Sequence, residues 1–243
     1  MKAHIQGLTL DGTDSTSSPY TITKITGWDD GVGTRREAID RPAAHGQLGL
    51  PGYLTGRPIT IEGEIYTHSP QEQDHAVLAL SGILAAGRMG ALVIESGGLS
   101  TWATVQRNGA PTITRDRWGL LATYMVQLWA VDPRRYGEVH RFTGGEVAFH
   151  RGNFDATPVH EVTGTSAAYT ISGPTGRTFA VSSGPGSGTD RIDMANGRVY
   201  RNGVLQLGIV TSADLWTIPT GLPGVTHTIS AGSLVTVVTD TFV

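Results

Sequence analysis

The chain has 243 residues, of which 39% are hydrophobic and 16% charged, with a net charge of −3 and no cysteine. The lack of cysteine excludes a disulfide framework, a thiol nucleophile and a cysteine-ligated zinc site. Neither half has an excess of basic residues, so a protein that grips nucleic-acid phosphates is not expected. No long apolar run and no apolar leader occur, so neither a transmembrane helix nor a secretory signal is predicted.

Charge is scarce and glycine is abundant. The charged fraction of 16% lies well below the roughly 25% typical of soluble domains. Glycine makes up 33 of the 243 residues, about twice its usual share of roughly 7%. This composition favours strands and turns, and it suggests that other chains cover part of the surface.

Strand patterns dominate the first half of the chain. In PITIEGEIYT (58–67), apolar and polar residues alternate strictly, which predicts a half-buried strand with one wet face. YTITKI, ALVIES, TWATVQ and LLATYMVQLWAV are also rich in β-branched and aromatic residues. The last of these is apolar at nearly every position, which predicts a central strand covered on both faces.

One helix is predicted, in THSPQEQDHAVLALSGILAAG. Ser69 is the expected N-cap, Pro70 the first helical residue and Glu72 the acid of a capping box. Gly87 is the expected C-cap. An apolar stripe that should pack on the first sheet consists of Ala76, Val77, Leu80, Ile83 and Leu84.

Between Gly27 and Arg57 the apolar periodicity disappears. A loop of this length is unusual inside a compact domain, so the segment should be an extended hairpin or a segment ordered by a partner. We expect residues 28–57 to form an arm that touches a neighbouring subunit. Arg35, Arg36 and Arg41 are the candidates for pairing with carboxylates across that interface.

The stretch VQLWAVDPRRYGEV (126–139) runs from a strand into a charged corner. Pro133 cannot donate to a ladder, and Asp132 followed by proline suits the start of a type I turn. A catalytic interpretation would need a nucleophile or base beside the arginines, and a nucleic-acid interpretation would need more positive charge. We therefore expect a structural joint, in which Arg134, Arg135 and Tyr136 fix the exit of the chain and at least one arginine binds the first domain or a neighbouring subunit.

The sequence changes character after the segment 137–156. Short strands follow at regular spacing, as in a β-sandwich. Asn196-Gly197 and Asn202-Gly203 each separate two strand patterns, which predicts a three-stranded meander. We place the domains at 1–140 and 141–243.

No residue pattern predicts a catalytic, cofactor or metal site. The eight histidines lack metal-ligand spacing, and the glycine-rich stretch 182–190 precedes no helix, so a hairpin tip is favoured over a phosphate loop. Asp29-Asp30 lie in the irregular loop, and Glu62 and Glu64, which share the wet face of one strand, are interpreted as solvated, so a catalytic carboxylate pair is not favoured. Trp216 is assigned to core packing rather than sugar stacking.

The order of these motifs resembles the distal tail protein (Dit) family of long, flexible-tailed bacteriophages. The residues that carry the resemblance are His45-Gly46, Tyr53, Gly56-Arg57, Ile59, Ile61 and Gly63, then Asp132 to Tyr136, then Gly152, Asn153, Ala156 and Pro158. The resemblance spans nearly the whole chain, and the region of Arg57 and the DPRRY corner are its most specific parts.

The resemblance implies a mainly β protein with no enzymatic role and no cofactor. Its N-terminal domain would be tail-tube-like with one α-helix, and its C-terminal domain a galectin-like β-sandwich at the ring periphery. Six copies would form a ring that joins the tail tube to the tail-tip hub and, in some phages, anchors receptor-binding proteins. DNA would pass through without specific binding. The protein would be made in the host cytoplasm and reside at the distal end of the tail.

Three alternatives remain open at this point. A tail-tube or hub protein would have little need of the second sandwich. A carbohydrate-binding adhesion module would need an exposed aromatic platform in the second domain. A tail-associated hydrolase would need an acid and a base positioned across a cleft.

Overall fold

The computed structural model describes residues 1–11 and 18–243. The described chain is mainly β and divides into two compact units, Met1–Arg135 with Val243, and Tyr136–Phe242. The domain boundary at 140/141 stays a prediction from the sequence; that position falls within the strand Arg135–Thr143. Each unit has its own buried core.

Over its described residues, the first unit contains one helix, two larger antiparallel sheets and two two-stranded sheets. Its elements are β1 (Lys2–Ile5), β2 (Leu8–Asp11), β3 (Tyr20–Thr26), β4 (Thr34–Arg35), β5 (Ile39–Asp40), β6 (Gln47–Leu48), β7 (Tyr53–Leu54), β8 (Arg57–Tyr66), α1 (Pro70–Ser81), β9 (Gly90–Ser96), β10 (Leu99–Arg107), β11 (Thr112–Arg115) and β12 (Leu121–Ala130). One sheet has the order β2-β1-β9-β10 and the other β3-β8-β12-β11. A short pairing of β10 with β12 links them.

The predicted alternation along β8 is confirmed. Ile59, Ile61, Gly63 and Ile65 are buried, whereas the residues between them are half-buried. β12 is central, as predicted, because it pairs with β8, β11 and β10. The prediction that β12 is covered on both faces is wrong for the single chain: one face is buried and the other is half-buried or exposed. A run of apolar residues does not show whether the second face of the strand is buried by its own chain or left for another one.

The helix begins where the capping signals predict and ends earlier. The Ser69 hydroxyl accepts the Glu72 N–H, and the Glu72 carboxylate accepts the His68 N–H. The helix stops at Ser81 with Gly82 as its cap, so the predicted cap at Gly87 is wrong. Gly87 has a positive φ of 70° and lies in the irregular turns after the helix. The predicted stripe is confirmed, since Ala76, Val77, Leu80, Ile83 and Leu84 are all in the first core.

The second unit is a sandwich. Its strands are β13 (Arg135–Thr143, starting at the unit boundary), β14 (Val147–Ala148), β15 (Val159–Thr165), β16 (Tyr169–Ser172), β17 (Thr178–Val181), β18 (Gly186–Asp193), β19 (Arg198–Arg201), β20 (Val204–Gln206), β21 (Val210–Ala213), β22 (Val225–Thr226), β23 (Thr228–Ile229) and β24 (Ser233–Phe242). One sheet has the order β13-β24-β15-β18-β19-β20, a second β21-β17-β16-β23, and β14 pairs with β22. A single 3-10 turn lies at Pro174–Gly176.

The core of the second unit lies between its two larger sheets. Val162, Ile192 and Leu234 from one sheet pack with Ile171 and Phe179 from the other. The meander β18-β19-β20 is confirmed, with turns at the two Asn-Gly pairs. The glycine-rich stretch 182–190 is only partly a turn, because β18 begins at Gly186.

Two buried histidines and a tryptophan form a polar cluster in this core. The Trp216 indole N–H donates to Nε2 of His227 at 3.0 Å, and Nδ1 of His160 lies 3.1 Å from the Thr236 hydroxyl. The two imidazole centroids are 4.9 Å apart. Burial lowers the pKa of His160 to about 3, with a contribution from His227, and burial lowers the pKa of His227 to about 4. Trp216 is thus a core residue, as predicted.

The histidine cluster should make the second unit acid-sensitive. Both folded pKa values lie below the ordinary value of about 6.5, so the unfolded chain takes up these protons first. Stability should be complete above about pH 6.5 and decrease as the pH falls towards the folded values. Thermal unfolding followed by circular dichroism from pH 8 to pH 4 measures this. His160→Gln should flatten the profile, whereas exposed His68→Gln should not; equal profiles for all three chains would contradict the assignment.

Candidate assembly site

The segment after β3 forms an exposed ribbon of two short antiparallel strand pairs, which we call the arm (residues 32–56). β4 pairs with β7 at its base and β5 with β6 near its tip. Thr55 N–H donates to the Gly33 carbonyl at 2.8 Å and closes the base. Ile39 and Leu48 face each other across the ribbon and are 47% and 45% exposed. The sequence prediction of an extended hairpin is confirmed.

The arginines of the arm make no ion pair with an acidic residue in the part of the chain that the structure describes. Arg35, Arg36 and Arg41 are exposed, and none makes a salt bridge with any residue that the structure describes. Three exposed guanidinium groups on one ribbon suit contacts with another protein surface. Their pairing with carboxylates of a neighbouring subunit stays a prediction.

At the base of the arm, Arg57 is buried in a cage of backbone carbonyls. Its side chain is 2% exposed. Nε donates to the carbonyl of Pro133 at 2.9 Å. Nη1 donates to the carbonyls of Gly27, Trp28 and Asp30 at 2.8, 2.8 and 2.9 Å. The guanidinium therefore ties together the end of β3, the start of the arm, β8 and the DPRRY corner.

The charge of Arg57 is balanced by its surroundings. Burial lowers the pKa of the guanidinium, and the nearby Arg135 lowers it further, while Asp29 and Asp30 oppose both effects. The pKa of an arginine ordinarily lies far above neutral pH, so the group stays charged at pH 7. Nη2 is buried and has no hydrogen-bond partner within residues 1–11 and 18–243. The carbonyl cage thus compensates most, but not all, of the cost of removing the guanidinium from water.

Gly27 is needed where the cage approaches β8. Its φ is +83°, and a Cβ added there would lie 1.9 Å from the carbonyl oxygen of Pro58. Any other residue would push the chain away from β8 and displace the carbonyl that Arg57 binds. The glycine therefore belongs to the arginine site.

The DPRRY corner closes the cage from the other side. The Asp132 carboxylate binds Arg134 through two bonds of 2.8 and 3.0 Å and also accepts the Arg134 backbone N–H. The backbone bends at Val131 and Asp132 without forming the predicted type I turn, because the carboxylate takes the place of the carbonyl acceptor. Tyr136 is half-buried at the start of the second unit.

Arg135, which ends the segment Met1–Arg135 of the first unit, makes the expected bond to the first domain within that unit. Its Nη1 donates to the Asp29 carboxylate at 2.8 Å, and its guanidinium carbon lies 5.5 Å from the centre of the Trp28 ring. Sequence reasoning named Arg57 and Arg135 but missed Gly27, Trp28 and Asp29 as their partners. The cluster Gly-Trp-Asp-Asp before an aperiodic segment is the available sequence signal for these partners.

The chemistry of this site is structural. In the described part of the chain, no group of three His, Cys, Asp or Glu side chains is arranged to hold a metal ion. No described helix is long and apolar enough to cross a membrane. Carbonyl oxygens, guanidinium groups and exposed apolar side chains can hold a backbone in place and present it to another protein.

Replacing Arg57 should destabilise the first unit strongly. Arg57→Met keeps the apolar stem and leaves four carbonyls without their charged donor. We expect a loss of about 3 kcal/mol or more in the free energy of unfolding, since hydrogen bonds to charged groups contribute about 1.5–3 kcal/mol each in net terms and are not additive. Urea titration followed by fluorescence measures it. Arg36→Met on the exposed arm is the control and should change stability by less than about 0.5 kcal/mol; equal effects would refute the cage.

Comparison with known proteins adds the fold relationship. No protein-family model matches the sequence, and no curated protein sequence matches it. The structure is similar to the crystal structure of the Dit protein (gp 19.1) of phage SPP1, described as a paradigm of the hub adsorption apparatus in phages that infect Gram-positive bacteria. That match has a TM-score of 0.73 at 11% identity, over 91% of this chain and 93% of that chain.

The structure is also similar to chains of the phage P2 baseplate in its activated conformation. The form with Ca gives a TM-score of 0.53 at 7% identity, and the form with Sr gives 0.52 at 7%. Both matches cover 97% of this chain and 96% of the other. At such low identity the likeness is one of fold. The resemblance inferred from the sequence is confirmed at that level: the chain has the fold of a phage distal tail protein.

Proposed function

We propose that the protein is a distal tail protein, a structural component of the tail tip of a bacteriophage. The observation that carries the proposal is the fold shared with SPP1 Dit over nearly the full length of both chains. The solved structures with this fold belong to a hub adsorption apparatus and a baseplate. The protein acts as an assembly component in this proposal and performs no catalysis.

Six copies form a ring in the proposal, with the first unit building the ring and the second, galectin-like unit at its periphery. A cyclic ring needs a heterologous interface, so each copy must cover two different surfaces. The exposed arm and the uncovered face of β12 are two surfaces that the chain does not cover itself. In the proposal, Arg35, Arg36 and Arg41 reach the neighbouring copy, whereas the buried Arg57 and the DPRRY corner hold the base of the arm in place.

The ring joins the tail-tube protein to the tail-tip hub protein and can anchor receptor-binding proteins. DNA passes through it without specific binding. Each phosphate that a channel wall neutralised would add salt-dependent affinity and slow passage. A net charge of −3 is consistent with a channel that does not retain DNA. The protein resides at the distal end of the tail in the virion after synthesis in the host cytoplasm.

The alternative of a carbohydrate-binding module loses its main support. Stacking on a sugar ring needs an exposed aromatic side chain. Trp216 is 3% exposed, and within residues 136–243 every large hydrophobic side chain that is exposed is aliphatic. The proposed role of the second unit is therefore protein contact.

Labelling of intact virions tests the proposed location. Gold-tagged antibodies against the chain should decorate the distal end of the tail in electron micrographs. Labelling along the tube or on the capsid would contradict the proposal. Light scattering of the purified assembly should give a mass close to six times 25.7 kDa.

Removing the arm should abolish ring formation without unfolding the chain. Because Thr55 and Gly33 are already hydrogen-bonded, residues 34–54 can be replaced by two glycines at little cost to the first unit. We expect an unchanged thermal midpoint and a monomer by light scattering. An unfolded variant would show that the arm belongs to the core.

The arginines of the arm can be tested with a matched charge change. Arg35, Arg36 and Arg41 replaced together by alanine should weaken assembly. The control replaces the exposed Arg88, Arg191 and Arg198, which lie outside the arm, by alanine. If both triple variants assemble equally well, arginine pairing across the interface is refuted.

A further inference from the structure

The turn between β11 and β12 has a backbone held by one carboxylate and presents an exposed tryptophan. One carboxylate oxygen of Asp116 accepts the backbone N–H groups of Gly119, Leu120 and Leu121 at 2.9, 3.1 and 3.2 Å. This turn, residues 116–120, presents Trp118 with 67% of its surface exposed. We call it the Trp118 tip. A rigid tryptophan loses little conformational entropy on binding, and tryptophan is enriched among residues that dominate interface energies.

The Trp118 tip also carries an unpaired positive charge. The guanidinium carbon of Arg117 lies 4.3 Å from the centre of the Trp118 ring, and Arg117 makes no salt bridge with a described residue. Leu120 beside it is 41% exposed. The tip is therefore an apolar projection with one cation, and its complement would be an apolar cavity with a carboxylate at its rim.

Such a cavity lies at the base of the arm. Its volume is about 460 Å³, within the range of about 300–1,000 Å³ typical of pockets that enclose small ligands, so an indole ring fits. Trp129, Val32 and Pro58 contribute apolar lining, and Asp30 contributes a carboxylate. Asp30 makes no salt bridge within the described residues; its carboxylate accepts the Gly27 N–H at 2.7 Å.

The tip and the cavity lie at opposite ends of one sheet. The tip precedes Leu121, which pairs with Tyr66 at one end of the β8–β12 ladder, whereas Ala130 pairs with Arg57 at the other end. A strand of ten residues spans about 30 Å. The Trp118 tip cannot reach the cavity of its own chain, so the two features can meet only between copies.

We propose that Trp118 of one copy inserts into the cavity at the base of the arm of the next copy, where Arg117 pairs with Asp30. This inference rests on the proposed ring and names the two surfaces of its heterologous contact. The arm emerges from the rim of the same cavity, since Val32, Gly33 and Thr55 line it. A copy whose Trp118 tip sits in the cavity is then also within reach of the arm. One neighbour therefore covers both the cavity and the arm of the same copy.

Truncation at the tip and filling of the cavity should weaken self-association alike. Trp118→Ala removes the projection, and Thr60→Trp places an indole in the cavity from the half-buried outer face of β8. We expect each to raise the concentration needed for assembly by about 30-fold or more in sedimentation velocity, the loss typical of a residue that dominates an interface. Leu207→Ala, which truncates an 82% exposed side chain in the second unit, is the matched control and should assemble normally.

Disulfide trapping tests the pairing directly, because the chain has no cysteine of its own. Arg117→Cys combined with Asp30→Cys keeps Trp118 and should yield a ladder of crosslinked species on oxidation. Arg117→Cys combined with Leu207→Cys should yield no ladder. The contact is overturned if the first pair stays uncrosslinked, or if Trp118→Ala and Thr60→Trp assemble like the unaltered chain. Virion labelling and removal of the arm would still support the ring in that case, so the two failures are distinguishable.

Discussion

The burial of one guanidinium group is the constraint on which the first unit depends. An arginine removed from water is tolerated only where it is closely paired or hydrogen-bonded, and Arg57 meets this need with backbone carbonyls rather than with a single acid. Carbonyls are fixed to the backbone, so the arginine fixes the path of two segments at once. Residues 27–30, which connect β3 to the arm, and the DPRRY corner converge because each supplies acceptors to the guanidinium.

This anchoring explains how an exposed arm can be compatible with a stable fold. The arm has little apolar surface facing inward, and a ribbon of short strands is only marginally stable by itself. The carbonyl cage and the Gly33–Thr55 hydrogen bond hold its base, while the tip shows Ile39 and Leu48 to solvent. Surface of this kind is typical of a segment that a partner covers. Under the proposed function, a neighbouring copy would also cover the half-buried or exposed face of β12, which the described residues leave open.

Local patterns predict much of the fold. They fail where a feature depends on residues far apart in the sequence, or where two residues could serve equally well. The alternation of β8, the capping residues at Ser69 and Pro70 and the Asn-Gly meander depend on contacts between near neighbours, which a sequence displays. The partners of Arg57 are separated from it by about 30 and 76 positions and are backbone atoms, so no residue type marks them. The helix end was misplaced because two glycines, at 82 and 87, could each serve as the cap. Trp118 was not identified because exposure of a turn residue follows from the tertiary fold.

A cryo-electron microscopy reconstruction of the distal end of the tail, made without imposed symmetry, tests the central claim most directly. The account predicts six copies of the chain around the axis, with the arm of each copy on its neighbour and the second units at the outside. The chain would be found between tube and hub. A map that places the chain elsewhere, or in which the arms remain free in solvent between copies, would contradict the account.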